Sequence, residues 1–240
     1  MTIPSSKILA FIPARSGSRR LPNKNIKSFA GRPLIAWTIE AALQANLNMD
    51  VVVSTDSSDI AAIATAYGAE VPFLRPTALA TDTAPTFPAL AFTVNELIKL
   101  GREYEYLFLL QPTSPLRQAF HITEAFAKLK SDGVKSVVSV SEIQHPIEWT
   151  MTLPSNGSMA EFVKTQLPFL KNRSQDLPKR YCLNGALACA KLADVMAHES
   201  FYFESGVYAL VMEQKFAIDI DNLADFEYAE FLKLKEMSTV

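Results

Sequence analysis

The sequence predicts an α/β fold: a Rossmann-like, mostly parallel sheet with helices on both faces, plus a small protruding segment. Three observations carry this. Short apolar runs alternate with helix-like stretches over the first two thirds of the chain. Those runs are continuous rather than alternating, as expected of strands buried on both faces. The pattern then breaks into a proline-containing stretch and resumes before the chain ends.

Lys7 to Pro13 reads as the first buried strand. Pro33 to Asn46 reads as a helix, with Pro33 suited to its first turn and apolar residues at helical spacing. Asp50 to Ser54 is a second strand. Ser57 to Tyr67 is a helix capped by Ser57 or Ser58 and ended by Gly68. Ala84 to Leu100 is a helix, Tyr104 to Leu110 a strand, Arg117 to Ser131 a helix and Lys135 to Val140 a strand. Residues 141 to 181 hold Pro146, Pro154, Pro168 and Pro178 and read as an excursion, a hairpin or small subdomain. Leu183 to Ala190 and Phe216 to Ile220 read as returning strands, and Leu223 to Lys235 as a closing helix. The domain reading is a core of residues 1–140 and 182–240 with a protrusion of 141–181.

Composition narrows the function classes. The chain has 240 residues, 23 Lys and Arg against 25 Asp and Glu, and 49% hydrophobic residues. A net charge of −2 gives no reason to expect bulk binding to nucleic acid or anionic membranes. The apolar run Ile8 to Ala14 is too short to span a membrane, and no signal-peptide pattern opens the chain. The expectation is a cytoplasmic protein. Cys182 and Cys189 form neither a disulfide framework nor a metal motif and read as buried free thiols.

The balanced charge is unevenly placed. Seven basic residues and no acidic one lie between Lys7 and Ile39. Most sit in the loop Pro13-Ala14-Arg15-Ser16-Gly17-Ser18-Arg19-Arg20-Leu21-Pro22-Asn23-Lys24-Asn25, at the carboxyl end of the first strand, where such sheets bind ligands. Small residues let backbone amides approach an anion and the cations supply charge, which suits a polyphosphate. The spacing is neither a Walker A loop nor a G-x-G-x-x-G fingerprint. Asp219-Ile220-Asp221 places two carboxylates on one face of a strand, and a pair of oxygen donors suits Mg²⁺. Leu110-Gln111-Pro112-Thr113-Ser114-Pro115-Leu116-Arg117 presents an amide, hydroxyls and a guanidinium at a strand end. Its local reading is a turn with a helix cap at Ser114.

Weaker candidates are Asp56, a site carboxylate or a helix cap, and Arg75 with Asp82 and Thr83, where Asp82 also reads as a cap. Arg173, Gln175, Lys179, Arg180 and Tyr181 form a basic polar cluster that reads equally as anion binding or as solvated surface. His121, His145 and His198 share no spacing and read as surface or packing residues. No catalytic triad or zinc arrangement appears.

Taken together these stretches resemble the N-acylneuraminate cytidylyltransferases, or CMP-sialic acid synthetases, including those for legionaminate and pseudaminate. The family's I-P-A-R-x-G-S-K-x-x-x-x-K-N matches Ile12 to Asn25, with Arg19 in place of lysine. Its L-Q-P-T-S-P-x-R is Leu110 to Arg117, its N-G-A is Asn184-Gly185-Ala186, and its I-D-I-D is Ile218 to Asp221. Where the family continues N-G-A-I-Y-I, this chain reads Asn184-Gly185-Ala186-Leu187-Ala188-Cys189.

The resemblance implies coupling of CTP to a nine-carbon 2-keto acid sugar, with release of pyrophosphate, by a homodimer whose protruding segment helps close the partner's site. It implies nucleotide binding by Ala14, Arg15, Ser18, Lys24, Asn25, Asp82 and Thr83. It implies sugar binding by Gln111, Thr113, Ser114, Arg173 and Tyr181, and Mg²⁺ on Asp219 and Asp221. Arg15, Lys24, Asp219 and Asp221 are then the catalytic set. The rivals are a cytidylyltransferase for 3-deoxy-manno-octulosonate, a glycosyltransferase reading Asp219-Ile220-Asp221 as its D-x-D, and a non-catalytic nucleotide-binding module.

Overall fold

A computed structural model describes residues 8–171, 173 and 176–238. In chain order the strands are β1 (Ile8–Pro13), β2 (Ser28–Phe29), β3 (Arg32–Pro33), β4 (Met49–Ser54), β5 (Tyr106–Leu110), β6 (Ser136–Glu142), β7 (Tyr181–Lys191) and β8 (Val207–Val211). The helices are α1 (Leu34–Gln44), α2 (Ser58–Ala66), α3 (Thr86–Lys99), α4 (Ala119–Leu129), α5 (Ala160–Leu170), α6 (Leu192–His198) and α7 (Leu223–Met237).

Six strands make one sheet in the order β4-β1-β5-β7-β6-β8. β1 runs parallel to β4 and β5, β6 runs parallel to β8, and β7 is antiparallel to both its neighbours. The sheet is therefore mostly parallel, as the sequence predicts.

Successive side chains of β1 feed opposite layers. Ile8, Ala10 and Ile12 pack with Ile35 and Ile39 of α1 and Ile122 of α4. Leu9 and Phe11 pack with Leu90, Val94 and Leu97 of α3 and Val195 of α6. A third apolar cluster joins Leu21, Phe29, Leu34, Leu116, Ile220 and Phe226. It takes one residue from each of the three candidate motif loops, so burial of a side chain worth about 1.5–3 kcal/mol apiece holds those loops together.

The closing β-hairpin β2–β3 is tied to this cluster. Its turn places Ala30 and Gly31 at φ 48° and 81°, as a two-residue type I′ turn requires. The Ala30 N–H donates to Glu230 Oε1 of α7 at 2.7 Å. Trp37 of α1 donates its Nε1–H to the Phe29 carbonyl at 3.0 Å.

Asn184-Gly185-Ala186 forms a bulge. Val138 pairs with Ala188 and Val140 with Leu183, so the residues between face Ser139 alone. Gly185 sits at φ 71°, open to a glycine at no steric cost. Ser139 Oγ accepts from the Leu187 N–H at 2.8 Å and donates to Asn184 Oδ1 at 2.6 Å.

Several expectations need correcting. Phe216 to Ile220 is not a strand: Gln214–Phe216 is a 3-10 turn and 217–221 pairs with no strand. The region 141–181, between the antiparallel β6 and β7, contains the helix α5, none of whose residues is buried. α4 starts at Ala119, capped by Gln118 and His121, so Ser114 is not its cap. α3 starts at Thr86 after Pro85, so Asp82 is not its cap either. Ser57 caps α2, accepting from the Ile60 N–H, which leaves Asp56 for other work. Pro33 precedes α1 as its cap residue. Cys189 is buried but Cys182, near the exposed start of β7, is not. Lys7 and Gln175 lie outside the described residues. No helix among the described residues is long and apolar enough to cross a membrane.

Candidate active site

The carboxyl ends of β1 and β5 open onto a cavity of about 480 Å³. Arg15, Ser18, Arg19, Arg20, Lys24 and Asn25 line it from the loop after β1. Arg75 and residues 81 to 86 line it from the connection into α3, Gln111 and Thr113 from the loop after β5, and Asp221 from the segment before α7.

The loop after β1 is built by side chains that reach back to it. The Ala14 N–H donates to the Ser54 carbonyl at 2.9 Å, so it extends the β1–β4 ladder and is not free for a ligand. Asp56 Oδ1 accepts from the Ser16 N–H at 2.9 Å and Oδ2 from Ser16 Oγ at 2.7 Å. Asn25, itself buried, donates Nδ2–H to the Arg15 carbonyl at 3.0 Å. Asn23 accommodates the left-handed turn before Lys24 at φ 55°, which asparagine tolerates well.

The cations of the loop are held by carboxylates distant in sequence. Arg15 meets Asp82 Oδ1 at 2.6 Å, and Arg19 pairs with the other oxygen of Asp82. Arg20 meets Asp221 Oδ2 at 2.7 Å. Lys24 Nζ donates to the Ile220 carbonyl at 2.5 Å. Burial pushes the Lys24 ammonium below its usual value, with Asp221 and Asp219 opposing the shift. Arg75 is only 6% exposed, and its N–H donates to the Thr55 carbonyl at 2.7 Å. Burial likewise lowers its pKa, and Asp56 opposes this. Burial alone would raise Asp56; the Ser16 hydroxyl and N–H, with Arg75, hold it below the ordinary carboxylate value.

Asp219 and Asp221 do project together. Ile220 between them is fully buried, and its N–H donates to the Thr113 carbonyl at 2.8 Å, which fixes the extended segment. Asp225 Oδ2 accepts from the Asp221 and Asn222 N–H groups at 2.9 and 3.0 Å and anchors the start of α7. Burial raises the Asp219 pKa, Asp221 and Asp225 add to this, and a Thr113 hydrogen bond and Lys24 oppose it. Two hard oxygen donors that repel each other are a donor set suited to Mg²⁺. No group of three or more His, Cys, Asp or Glu that could hold a metal ion occurs among the described residues. A cation here would therefore take its remaining ligands from water and phosphate, as Mg²⁺ commonly does.

Of the sequence-derived site residues, Arg15, Ser18, Lys24, Asn25, Asp82, Thr83, Gln111, Thr113 and Asp221 line one cavity. Asp219 stands beside it through Thr113 and Asp221. Ser114, in the loop after β5, is buried and does not line the cavity. Arg173 and Tyr181 are exposed on the excursion and do not line it. The sequence passes over Arg19, Arg20, Leu79, Thr81 and Thr86 as site residues and marks Arg75 only as weak. Arg75 follows an apolar Val-Pro-Phe-Leu stretch with no local pattern of its own.

A family model described as Cytidylyltransferase matches residues 9–240. The chain is 40% identical to the CMP-N,N'-diacetyllegionaminic acid synthase of Legionella pneumophila, covering 97% of both chains. It is 33% identical to a pseudaminic acid cytidylyltransferase of Campylobacter jejuni, covering 94% of this chain and 96% of that one. It is 36% identical to the N-acylneuraminate cytidylyltransferase of Escherichia coli, covering 96% of this chain and 53% of that one. A solved structure of CMP:2-keto-3-deoxy-manno-octonic acid synthetase complexed with CTP superposes with a TM-score of 0.68 at 19% identity. That match covers 96% of this chain and 100% of that one, and establishes the shared fold.

Proposed function

The chain belongs to the cytidylyltransferase family, and from that premise we propose that it couples CTP to a nine-carbon 2-keto acid sugar, giving the CMP-sugar and pyrophosphate. The observation that carries this is the convergence of three motif loops on one cavity lined by Arg15, Arg19, Arg20, Lys24 and Arg75. A concave site lined by five cations favours a polyphosphate over a neutral ligand. The names of the relatives support the sugar class: legionaminic, pseudaminic and neuraminic acids.

The sugar's anomeric hydroxyl attacks the α-phosphorus and gives up its proton to solvent, and the bond from that phosphorus to the oxygen bridging the β-phosphate breaks, so that pyrophosphate leaves. Arg15, Arg19 and Lys24 surround the phosphates and neutralise the charge that grows on the departing pyrophosphate. Asp82 and Thr83 hold the nucleotide from the opposite wall. Gln111 and Thr113 orient the sugar, so that positioning supplies much of the barrier reduction. No histidine lines the cavity. Asp219 and Asp221 would hold Mg²⁺, which would supply positive charge to offset that of the phosphates.

The same reading makes the protein a cytoplasmic homodimer. α5 buries none of its residues and exposes Val163, Leu167, Phe169 and Leu170. Arg173 and Tyr181 on the same excursion would serve the partner's site. Pyrophosphate release with CTP and a panel of neuraminate, legionaminate, pseudaminate and 3-deoxy-manno-octulosonate tests the reaction. Release with a nine-carbon acid is expected. Binding of CTP with no release on any acid would refute it, and so would release on octulosonate alone.

A further inference from the structure

Arg117 is among the most deeply buried side chains of the protein, 1% exposed. Its Nη1 donates to the Ala186 carbonyl at 2.5 Å and to the Gln111 carbonyl at 3.2 Å. Its Nε and Nη2 meet no acceptor among the described residues, and no carboxylate offsets the burial, which pushes its pKa down to about 9. It therefore remains charged at neutral pH.

A buried cation without an anionic partner is costly, and an apolar side chain of the same size commonly serves stability as well or better. The two bonds it makes are informative. Gln111 lines the cavity, and its carbonyl also accepts from Thr38 Oγ1 at 3.4 Å. Ala186 ends the β7 bulge, whose Asn184 Oδ1 accepts the Ala186 N–H at 3.1 Å. The Ala186 carbonyl lies one residue before Leu187, where the β5–β7 pairing ends, and there it meets Arg117. One rigid guanidinium thus spans the loop that presents Gln111 and the strand that carries the excursion.

We infer that Arg117 is a positioning residue for the acceptor sugar, setting the Gln111 loop against β7 without touching substrate. This rests on the assignment of Gln111 to the sugar side of the cavity. The nucleotide side, built from the loop after β1, is held by Asp56, Asn25 and the β1–β4 ladder and makes no bond to Arg117.

The test uses Arg117→Met and Arg117→Lys in the full chain, with three readouts: sugar KM, CTP affinity by calorimetry, and amide hydrogen exchange. For Arg117→Met, sugar KM rises about 10–100-fold, the scale of an ångström's misplacement. CTP affinity stays within about twofold, well under one tenfold step of binding energy. Exchange quickens in residues 110–117 and 183–188 and stays unchanged in residues 14–25. Arg117→Lys, with the charge but no fork, falls between. If Arg117→Met fails to fold, Arg117→Lys carries the same readouts. A folded variant with wild-type sugar KM and exchange overturns the inference. So does a loss of CTP affinity in step with the rise in sugar KM, which would mark general structural damage. If the wild-type chain turns over none of the sugars, the functional reading falls and exchange decides: quickening confined to the two segments upholds the positioning role, and unchanged exchange removes it.

Discussion

Replacing Asp56 with alanine isolates what holds the loop after β1. Asp56 accepts two hydrogen bonds from Ser16, at 2.9 and 2.7 Å, and faces Arg75. Bonds to an ionised group contribute about 1.5–3 kcal/mol each when well buried. Asp56 is part-exposed, so solvent screening brings the pair to about 2 kcal/mol together. If that ordering must be recovered when nucleotide binds, the CTP dissociation constant rises about 30-fold. Asp56→Asn keeps an acceptor for the Ser16 N–H and a donor to Ser16 Oγ but loses the charge. Charge-assisted bonds being about twice as strong as neutral ones, it should lose about half the free energy, roughly fivefold in affinity. Calorimetric titration of CTP into the three proteins gives the ordering directly. An Asp56→Ala protein that binds within twofold of wild type refutes the anchoring argument. So does an Asp56→Asn protein as weak as Asp56→Ala, which would transfer the effect to the Arg75 charge. The pH dependence has a definite sign. The folded-state pKa of Asp56 lies below the ordinary 3.8. The anchoring is therefore complete above that ordinary value and is lost as pH falls through the lowered one. Between pH 5 and 8 this group adds no acid limb to CTP affinity.

Three further outcomes follow from the same geometry. Asp221→Ala should abolish Mg²⁺-dependent turnover with a melting temperature near wild type, because that side chain is 55% exposed; full activity with Mg²⁺ would remove the metal assignment. Val163→Asp with Leu167→Asp on α5 should leave the far-ultraviolet circular dichroism unchanged while light scattering shows a dimer become a monomer and turnover falls. A wild-type chain already monomeric contradicts the dimer reading. Arg102→Met breaks contacts with Glu70 at 2.6 Å and Asp50 at 3.6 Å, both part-exposed. It should cost about 1 kcal/mol, a fall of about 2–4 °C in melting temperature, with CTP affinity untouched.

How much of this the sequence disclosed depends on whether a local pattern existed. β1, β4, β5 and β6 are continuous apolar runs and read plainly. β8 is an edge strand, its Tyr208 and Val211 exposed, so its short run lacks the signature of two-sided burial. α6 has seven residues and follows β7 without a side-chain cap. α5 contains Pro168 and packs no face into the core, so helical periodicity had little reason to appear. The segment around Ile218 to Asp221 is the instructive error. Its alternation is real: Ile218 and Ile220 join an apolar cluster while Asp219 and Asp221 face out. Period two reports an extended chain, and only a partner makes it a strand; here the partner is a single hydrogen bond to Thr113. At the site, motif residues were legible because each motif is local. Arg75, Thr81 and Thr86 were less so, because folding alone brings their connection over the cavity.

The charges show the same division. The sequence displays a basic loop with no acid near it. The fold supplies the missing carboxylates: Asp56 for Ser16, Asp82 for Arg15 and Arg19, Asp221 for Arg20, across 40, 67 and 201 residues in the bonded cases. These partners do two different jobs. Asp56 bonds the loop's backbone and holds its shape whatever is bound. Asp82 and Asp221 bond guanidinium groups that also line the cavity, where a polyphosphate would contact them. Exposed ion pairs of that kind contribute only about 0–1 kcal/mol each, so a ligand with several phosphate oxygens can exchange them at little cost. Among the described residues, five lining cations against two lining carboxylates leave the cavity positive. That excess, in a chain of net charge −2, is concentrated where a concave wall focuses its field. Selectivity for a small polyphosphate over extended polyanions therefore comes from the placement of charge and not from its total.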